Sequence, residues 1–392
     1  MRSEWITSTI DDICKLVTDG AHNSPKSVDN GYYMASVKDF TAYGFDFSNC
    51  RKISEADYLK LKKQGCVPES GDILVGKDGA RYFEDVIIYR QKEQPALLSS
   101  IAILRVDDTK VTSEFLYYTL KSPTVKKDVR DNYGSGSAIP RIVLKDFKRM
   151  PISFPSLKEQ KKITNICVLL DEKIQLNNRI NKNLEQQAVA VFNKFYAAST
   201  NQQPFTTLIN VLGGGTPKTG NSEFWDGSIP FFTPKDVGTP YTFKTEKYIT
   251  ELGLKHCNSR LYPTNTTFVT ARGTVGKISL AGVPMAMNQS CYALTSEIVD
   301  PLLVYFYVLK AVNALKHKAS GAVFDAIVTR DFDGEIINIL SDTDSEAALS
   351  IIKPMMEVIH NNSKENMRLS AARDTLLPKL MSGELDVSGI DL

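Results

Sequence analysis

A chain of 392 residues is longer than one ordinary core accommodates, so two domains are the starting expectation. With 42% apolar and 23% charged residues it is globular rather than disordered, and a net charge of +2 leaves any affinity for a polyanion to local clusters. The six cysteines form no Cys-x-x-Cys pair and no apolar run approaches the roughly 20 residues that cross a bilayer, which argues against a zinc site and a membrane span. Met1–Trp5 does not open a signal peptide, so a reduced, cytoplasmic chain is expected.

Residues 1–156 are predicted as a β-rich domain. Short β-branched runs at Ile73–Val75, Val86–Tyr89 and Ile101–Val106 alternate with Gly, Pro, Asn and Asp turns, and a short helix follows around Ser113–Lys121. A basic stretch comes next: Lys121, Lys126, Lys127, Arg130, Arg141, Lys145, Lys148 and Arg149 form either a solvated face or a set of phosphate contacts.

From Leu157 to Ala198 there is neither Gly nor Pro, and residues 157–199 are assigned to one long helix that could reach about 60 Å. Steps of four and three place Ile163, Cys167, Leu170, Ile174, Asn177, Asn181, Leu184, Ala188, Val191 and Phe195 on one seam. An ordinary buried helix face would give a similar stripe, but it would rarely run so far.

Residues 200–342 repeat the β-rich plan, with strands at Phe268–Thr270 and Ile278–Ala281 and a helix around Pro301–Lys316. A second long helix occupies residues 343–392. Its seam follows from the first by adding 185: Ala348, Ile352, Met355, Ile359, Asn362, Asn366, Leu369, Arg373, Leu376 and Leu380. Arg373 breaks the apolar pattern, and Pro354 and Pro378 predict a kink or an interrupted end. Antiparallel pairing about the seam centres would set Asn177 against Asn366 and Asn181 against Asn362, a buried polar layer that penalises slipped registers.

The two halves are one sequence written twice. Gly136-Ser-Ala-Ile-Pro-Arg-Ile-Val-Leu-Lys-Asp-Phe147 aligns on Gly321-Ala-Val-Phe-Asp-Ala-Ile-Val-Thr-Arg-Asp-Phe332. Glu114–Lys121 aligns on Leu303–Lys310, Ser100–Leu104 on Ser290–Leu294, Gly71–Val75 on Asn265–Val269, and Lys38-Asp39 on Lys235-Asp236. Order is kept while intervening segments change length, as in duplicated domains with diverged loops. The fold class expected is therefore α+β: two duplicated β-rich domains, each followed by a long helix, the helices paired as an antiparallel coiled coil.

No catalytic constellation accompanies this plan. Gly273-Thr-Val-Gly-Lys277 is too short for a phosphate-binding P-loop, and Gly213-Gly-Gly215 runs into Thr-Pro and reads as a turn. A methyltransferase's Gly-rich cofactor loop and Asn-Pro-Pro-Tyr-like motif are missing. His22, His256, His317 and His360 are scattered, with no nucleophile elbow beside them.

Several segments resemble the specificity subunits of Type I restriction-modification systems. Ile152-Ser-Phe-Pro-Ser-Leu-Lys-Glu-Gln160 is similar to their I-x-x-P-x-x-x-E-Q junction, preceded here by Gly136-Ser-Ala-Ile-Pro-Arg-Ile142. Leu376-Leu-Pro-Lys-Leu-Met-Ser-Gly-Glu-Leu-Asp-Val387 resembles the closing motif of the family, and Ala271-Arg-Gly-Thr-Val-Gly-Lys277 resembles an R-G-T-I-G-K loop of its recognition domains. The chain departs from the pattern at Ile337–Asp344, which has neither the proline nor Glu-Gln, and at Lys77-Asp-Gly-Ala-Arg-Tyr82, where the first copy lacks the Arg-Gly-Thr-x-Gly-Lys loop.

The resemblance implies a non-catalytic subunit whose two target-recognition domains each read half of a split double-stranded DNA target. It implies paired helices that space the domains and dock two modification subunits, with restriction subunits joining them. S-adenosylmethionine, ATP and Mg would then belong to those partners and no cofactor to this chain. Loops bearing Arg, Lys or Asn beside Gly are the candidate DNA contacts: Lys38, Lys77 and Arg81 in the first copy, and Lys235, Arg272, Lys277 and Asn288 in the second. The alternatives are a stand-alone DNA methyltransferase or nuclease with an unfamiliar motif, and a helical scaffold, for which two β-rich domains would be superfluous.

Overall fold

The structure is a computed structural model that describes residues 5–79, 81–134, 140–318, 326–387 and 389. The most similar pair of repeat segments falls partly outside them, since 136–139 and 321–325 are not described. The chain divides into two compact units, residues 1–172 with 369–392 and residues 173–368, so that each unit holds part of both long helices.

In the first unit a four-stranded antiparallel sheet runs in the order Cys14–Asp19, Ile101–Val106, Ile73–Gly76, Val86–Ile88. Its central strands are apolar on both faces because both are covered. Ile73, Val75, Ala102 and Leu104 point into the core shared with the helix Ser113–Lys121, whereas Leu74, Ile101 and Ile103 point into a second core with Phe45 and Tyr89. A three-stranded sheet orders Lys52–Ile53, Tyr32–Ala35 and Ala96–Leu97, the last two parallel, and Ile6–Thr9 pairs with Pro151–Phe154.

The second unit repeats this plan with one strand added to its larger sheet. Its larger sheet runs Asn210–Gly213, Cys291–Thr295, Thr267–Thr270, Ile278–Ala281, with Tyr241–Thr242 added at the edge. Lys247–Ile249, Trp225–Phe232 and Ala286–Met287 form the three-stranded sheet, again with its last pair parallel, and Gln202–Pro204 pairs with Ile336–Asn338. The duplication is thus present in topology as well as in sequence.

The first long helix spans Leu157–Ala198. Its entry is tied by Gln160, the last residue of the junction motif and fully buried. The Gln160 Oε1 accepts from the Thr112 amide at 2.9 Å, and Nε2 donates to the Lys110 and Pro155 carbonyls at 2.9 Å each. Thr112 in turn caps the helix Ser113–Lys121, so one side chain fixes the starts of two helices.

The second long helix, Asp342–Met381, continues through Pro354, which is exposed, and ends three residues past Pro378. No break occurs at Pro354, contrary to the simplest expectation from proline. In the second unit the two helices run antiparallel. Asn177 Nδ2 donates to Asn366 Oδ1 and Asn362 Nδ2 donates to Asn181 Oδ1, both at 2.9 Å.

Beside these amides, Lys173 approaches Glu365 and Asn366 donates to Asn178 at 2.8 Å. Asn177 Oδ1 is buried without a hydrogen-bond partner. The seam departs from strict heptads toward its ends. Phe192 is buried where Val191 and Phe195 are only half-buried, and Met356 and Leu377 replace Met355 and Leu376. Phe192 stacks on Phe306 and meets Tyr307 edge-on, so there the helix packs against its own unit and follows a longer period.

Arg373 has a reason for its place. Its guanidinium bonds the Asp171 carboxylate at 2.5 Å, and Asp171 also accepts from the Tyr118 hydroxyl at 2.7 Å. The buried residue at this level is Asp171 rather than Leu170, which is half-buried.

Candidate nucleic-acid interface

Strand ends build a cleft of about 490 Å³ in the second unit. Trp225–Phe232 and Ala286–Met287 are parallel, with Phe232 opposite Met287, so the turns that follow both strands emerge side by side. The Asn288 amide donates to the Phe232 carbonyl at 3.0 Å and locks that edge. Thr267–Thr270 pairs antiparallel with Cys291–Thr295, Thr270 opposite Cys291, which brings the loop starting at Arg272 to the same edge.

Three candidates, Lys235, Arg272 and Asn288, therefore line one cleft. Lys235 sits on a turn held by Asp236, whose carboxylate accepts from the Thr233 amide at 2.8 Å and hydroxyl at 2.6 Å. Its ammonium lies 3.5 Å from Glu246, and both side chains are exposed. Arg272 is exposed, and among the described residues its guanidinium has no ion pair or hydrogen bond. Asn288 Oδ1 accepts from the Ser290 amide, which leaves the Nδ2 donors toward the cleft. Lys277 closes the Arg272 loop from its far side, exposed but not on the lining.

The structure adds residues that the sequence did not single out. Lys247 reaches the same cleft with its ammonium 5.4 Å from the Trp225 ring centroid, and Gln289 accepts a hydrogen bond from the Thr216 hydroxyl there. Three cations thus face one carboxylate, with amides and hydroxyls between them and an aromatic floor. Such a surface suits phosphate contact and base-edge hydrogen bonding. Gln289 and Ser290 could have been found from their neighbour Asn288, whereas nothing local marks Lys247 or Trp225.

The first unit has the corresponding cleft, about 440 Å³, which brings Lys38 and Arg81 together but also carries Asp78 and Asp85. The Lys38 turn is built as its counterpart is, with the Asp39 carboxylate accepting from the Ser36 amide at 2.8 Å and hydroxyl at 2.9 Å. Arg81 is paired with Asp85 at 2.7 Å, a hydrogen bond that raises its pKa. Lys77 does not serve as a surface contact. It is buried, with its ammonium 3.3 Å from Asp19 and 3.6 Å from Asp78, because its position in the loop faces inward as that of Ala271 does.

The basic stretch largely pairs within its own unit. Lys126 and Arg130 bind Glu84, Lys148 binds Asp11, and Arg149 binds Asp146. Lys121 donates to the Tyr117 hydroxyl, and burial pushes its pKa down.

A duplicated domain that builds a polar cleft at equivalent strand ends, cationic in the second unit and mixed in charge in the first, defines a two-domain binding protein. The chain belongs to the Type I restriction modification DNA specificity domain family, whose model matches residues 2–186 and again residues 206–367. It is similar to the Type I restriction enzyme MjaIX specificity subunit of Methanocaldococcus jannaschii, 24% identical over 71% of this chain and 70% of the relative. It is also similar to the HindI specificity subunit of Haemophilus influenzae, 20% identical over 81% of this chain and 87% of that one. The crystal structure of a Type I system S subunit from M. genitalium shares the fold, with a TM-score of 0.57 at 16% identity over 97% and 96% of the two chains. The function in which these relatives agree is DNA sequence specificity.

Proposed function

We propose that this chain supplies only the DNA address of a Type I complex, each unit reading one half of a bipartite target. The observation that carries this reading is the pair of clefts. Strand topology puts the same loops at the same edge in both units, while the charges on those loops differ, as two readers of unlike sequences require.

Modification subunits would dock on the long helices. In the second unit the helices expose Leu176, Ile180, Ile351 and Val358, large apolar side chains turned away from the seam. Adenine methylation and restriction would be carried out by partners that bring S-adenosylmethionine, ATP and Mg, and the phosphate term of binding is shared with them, which suits a chain of nearly neutral charge. All six cysteines are free, in keeping with action in the cytoplasm, and among the described residues no helix is long and apolar enough to cross a membrane.

The test is a domain exchange. With residues 1–156 replaced by the corresponding part of another specificity subunit, and the chain co-expressed with its modification subunit, one half of the methylated motif should change and the other stay. Change in both halves would refute independent reading. Methyl transfer or cleavage by the purified chain alone would favour the stand-alone enzyme instead.

A further inference from the structure

The loops around Asp78 and Arg272 are the same piece of backbone carrying opposite charges. The Lys77 amide donates to the Ser100 carbonyl at 2.9 Å, and the Ala271 amide to that of Ser290 at 2.8 Å. Ile142 returns to the Lys77 carbonyl at 3.0 Å, as Ile327 does to Ala271 at 2.9 Å. Asp78 is bridged to Arg141 and Arg272 to Ala326. The next residue is a glycine with φ of +95° at Gly79 and +81° at Gly273, a backbone state that other residues rarely adopt. Asp78 and Arg272 are therefore equivalent positions, each on the lining of its cleft.

Their chemistry is complementary rather than merely divergent. Arg272 offers a planar fork of donors with no partner among the described residues. Asp78 offers only acceptors: its Oδ1 is buried and ion-paired with the Lys77 ammonium at 3.6 Å, while its side chain remains 29% exposed on the lining of the cleft. Phosphate oxygens would repel a carboxylate, so Asp78 cannot anchor a nucleic-acid backbone. In a cleft that meets DNA, its suitable partner is a base amino group.

Resting on the reading proposed above, we propose that this loop position reads a base in both units: Arg272 takes guanine through O6 and N7, and Asp78 takes an exocyclic amino group, that of cytosine N4 or adenine N6. The two half-sites thus differ in a way set by one position. The unit bearing Arg272 requires a guanine, and the unit bearing Asp78 requires a base that donates.

The experiment maps the methylated motif in cells expressing the modification subunit with the wild-type chain, Arg272→Ala, Asp78→Ala or Asp78→Asn. Arg272→Ala should relax one guanine in one half-site, with discrimination there falling roughly 5- to 150-fold. Asp78→Ala should relax one base pair in the other half-site and leave the half-site of Arg272 unchanged. Asp78→Asn keeps the side-chain shape, so that lost folding does not obscure the result, and should move a wild-type cytosine position toward adenine, because an amide both donates and accepts; a wild-type adenine position should stay adenine. Uniform loss across all sites with Arg272→Ala, or a relaxed position other than guanine, would overturn its part. An unaltered motif with both Asp78 variants, or a relaxed C·G pair that Asp78→Asn does not move toward A·T, would overturn the rest. Failure of the wild-type chain to direct any motif would instead refute the functional reading beneath.

Discussion

The most demanding energetic test lies in the first unit, at Arg373. Its side chain is 16% exposed and that of Asp171 only 6%, so Arg373→Leu would leave a buried carboxylate with Tyr118 as its remaining donor. Removing one partner of a buried ion pair costs about 3–5 kcal/mol, whereas replacing both by apolar side chains of similar volume is often neutral or better. Arg373→Leu alone should therefore lower the melting temperature of this unit by roughly 10 °C, at about 2–4 °C per kcal/mol.

Asp171→Leu with Arg373→Leu should recover most of that loss, and adding Tyr118→Phe should recover the cost of its orphaned hydroxyl. The two tryptophans make the assay specific. Trp5 packs edge-on against Phe115 in the first unit while Trp225 belongs to the second, so a Trp225→Phe background reports the first unit alone by fluorescence. If Arg373→Leu were neutral, or the double substitution worse than the single, the pair would not be the buried unit described.

Replacing Asn177, Asn181, Asn362 and Asn366 by Leu should raise the melting temperature, since it removes a buried unsatisfied carbonyl, while loosening half-site spacing in the methylated motif; a lower melting temperature would contradict this. Gly214→Ala would place a Cβ 2.2 Å from the Asn288 carbonyl oxygen and should weaken DNA binding by the second unit, whereas Gly213→Ala meets nothing within 4 Å and should be tolerated in the same binding assay. Burial raises the thiol pKa of Cys14, Cys167 and Cys291 from 9.0 to about 12. A folded pKa above the unfolded one gives stability that is complete below about pH 9 and lost as pH rises toward 12, so the melting temperature should fall between pH 8.5 and 11; a flat profile would contradict it.

Local chemistry made much of this fold legible. The run from Leu157 to Ala198 has no breaker and is one helix with those bounds, and Ile73–Val75 and Ile101–Val106 form the central strands that their composition suggested. What was hidden depends on partners far along the chain. Arg373 looked like a flaw in the seam because Asp171, 202 residues earlier, cannot be matched to it by spacing. Lys77 looked like a surface cation because Asp19 lies on another strand.

Gln160 was visible as part of a motif, but its purpose, bonding three backbone groups around Thr112 and Pro155, is a property of the folded junction. The cleft was half legible: Lys235, Arg272 and Asn288 each stood out beside a turn. Lys247 and Trp225 joined them only through the pairing of Trp225–Phe232 with Lys247–Ile249 and Ala286–Met287.

The most direct measurement is adenine-methylation sequencing of a host that carries the modification subunit with and without this chain. Methylation at a single split motif is predicted when the chain is present, and none at that motif when it is absent. The same motif methylated without the chain, or methylation with no shared sequence when it is present, would contradict a specificity role.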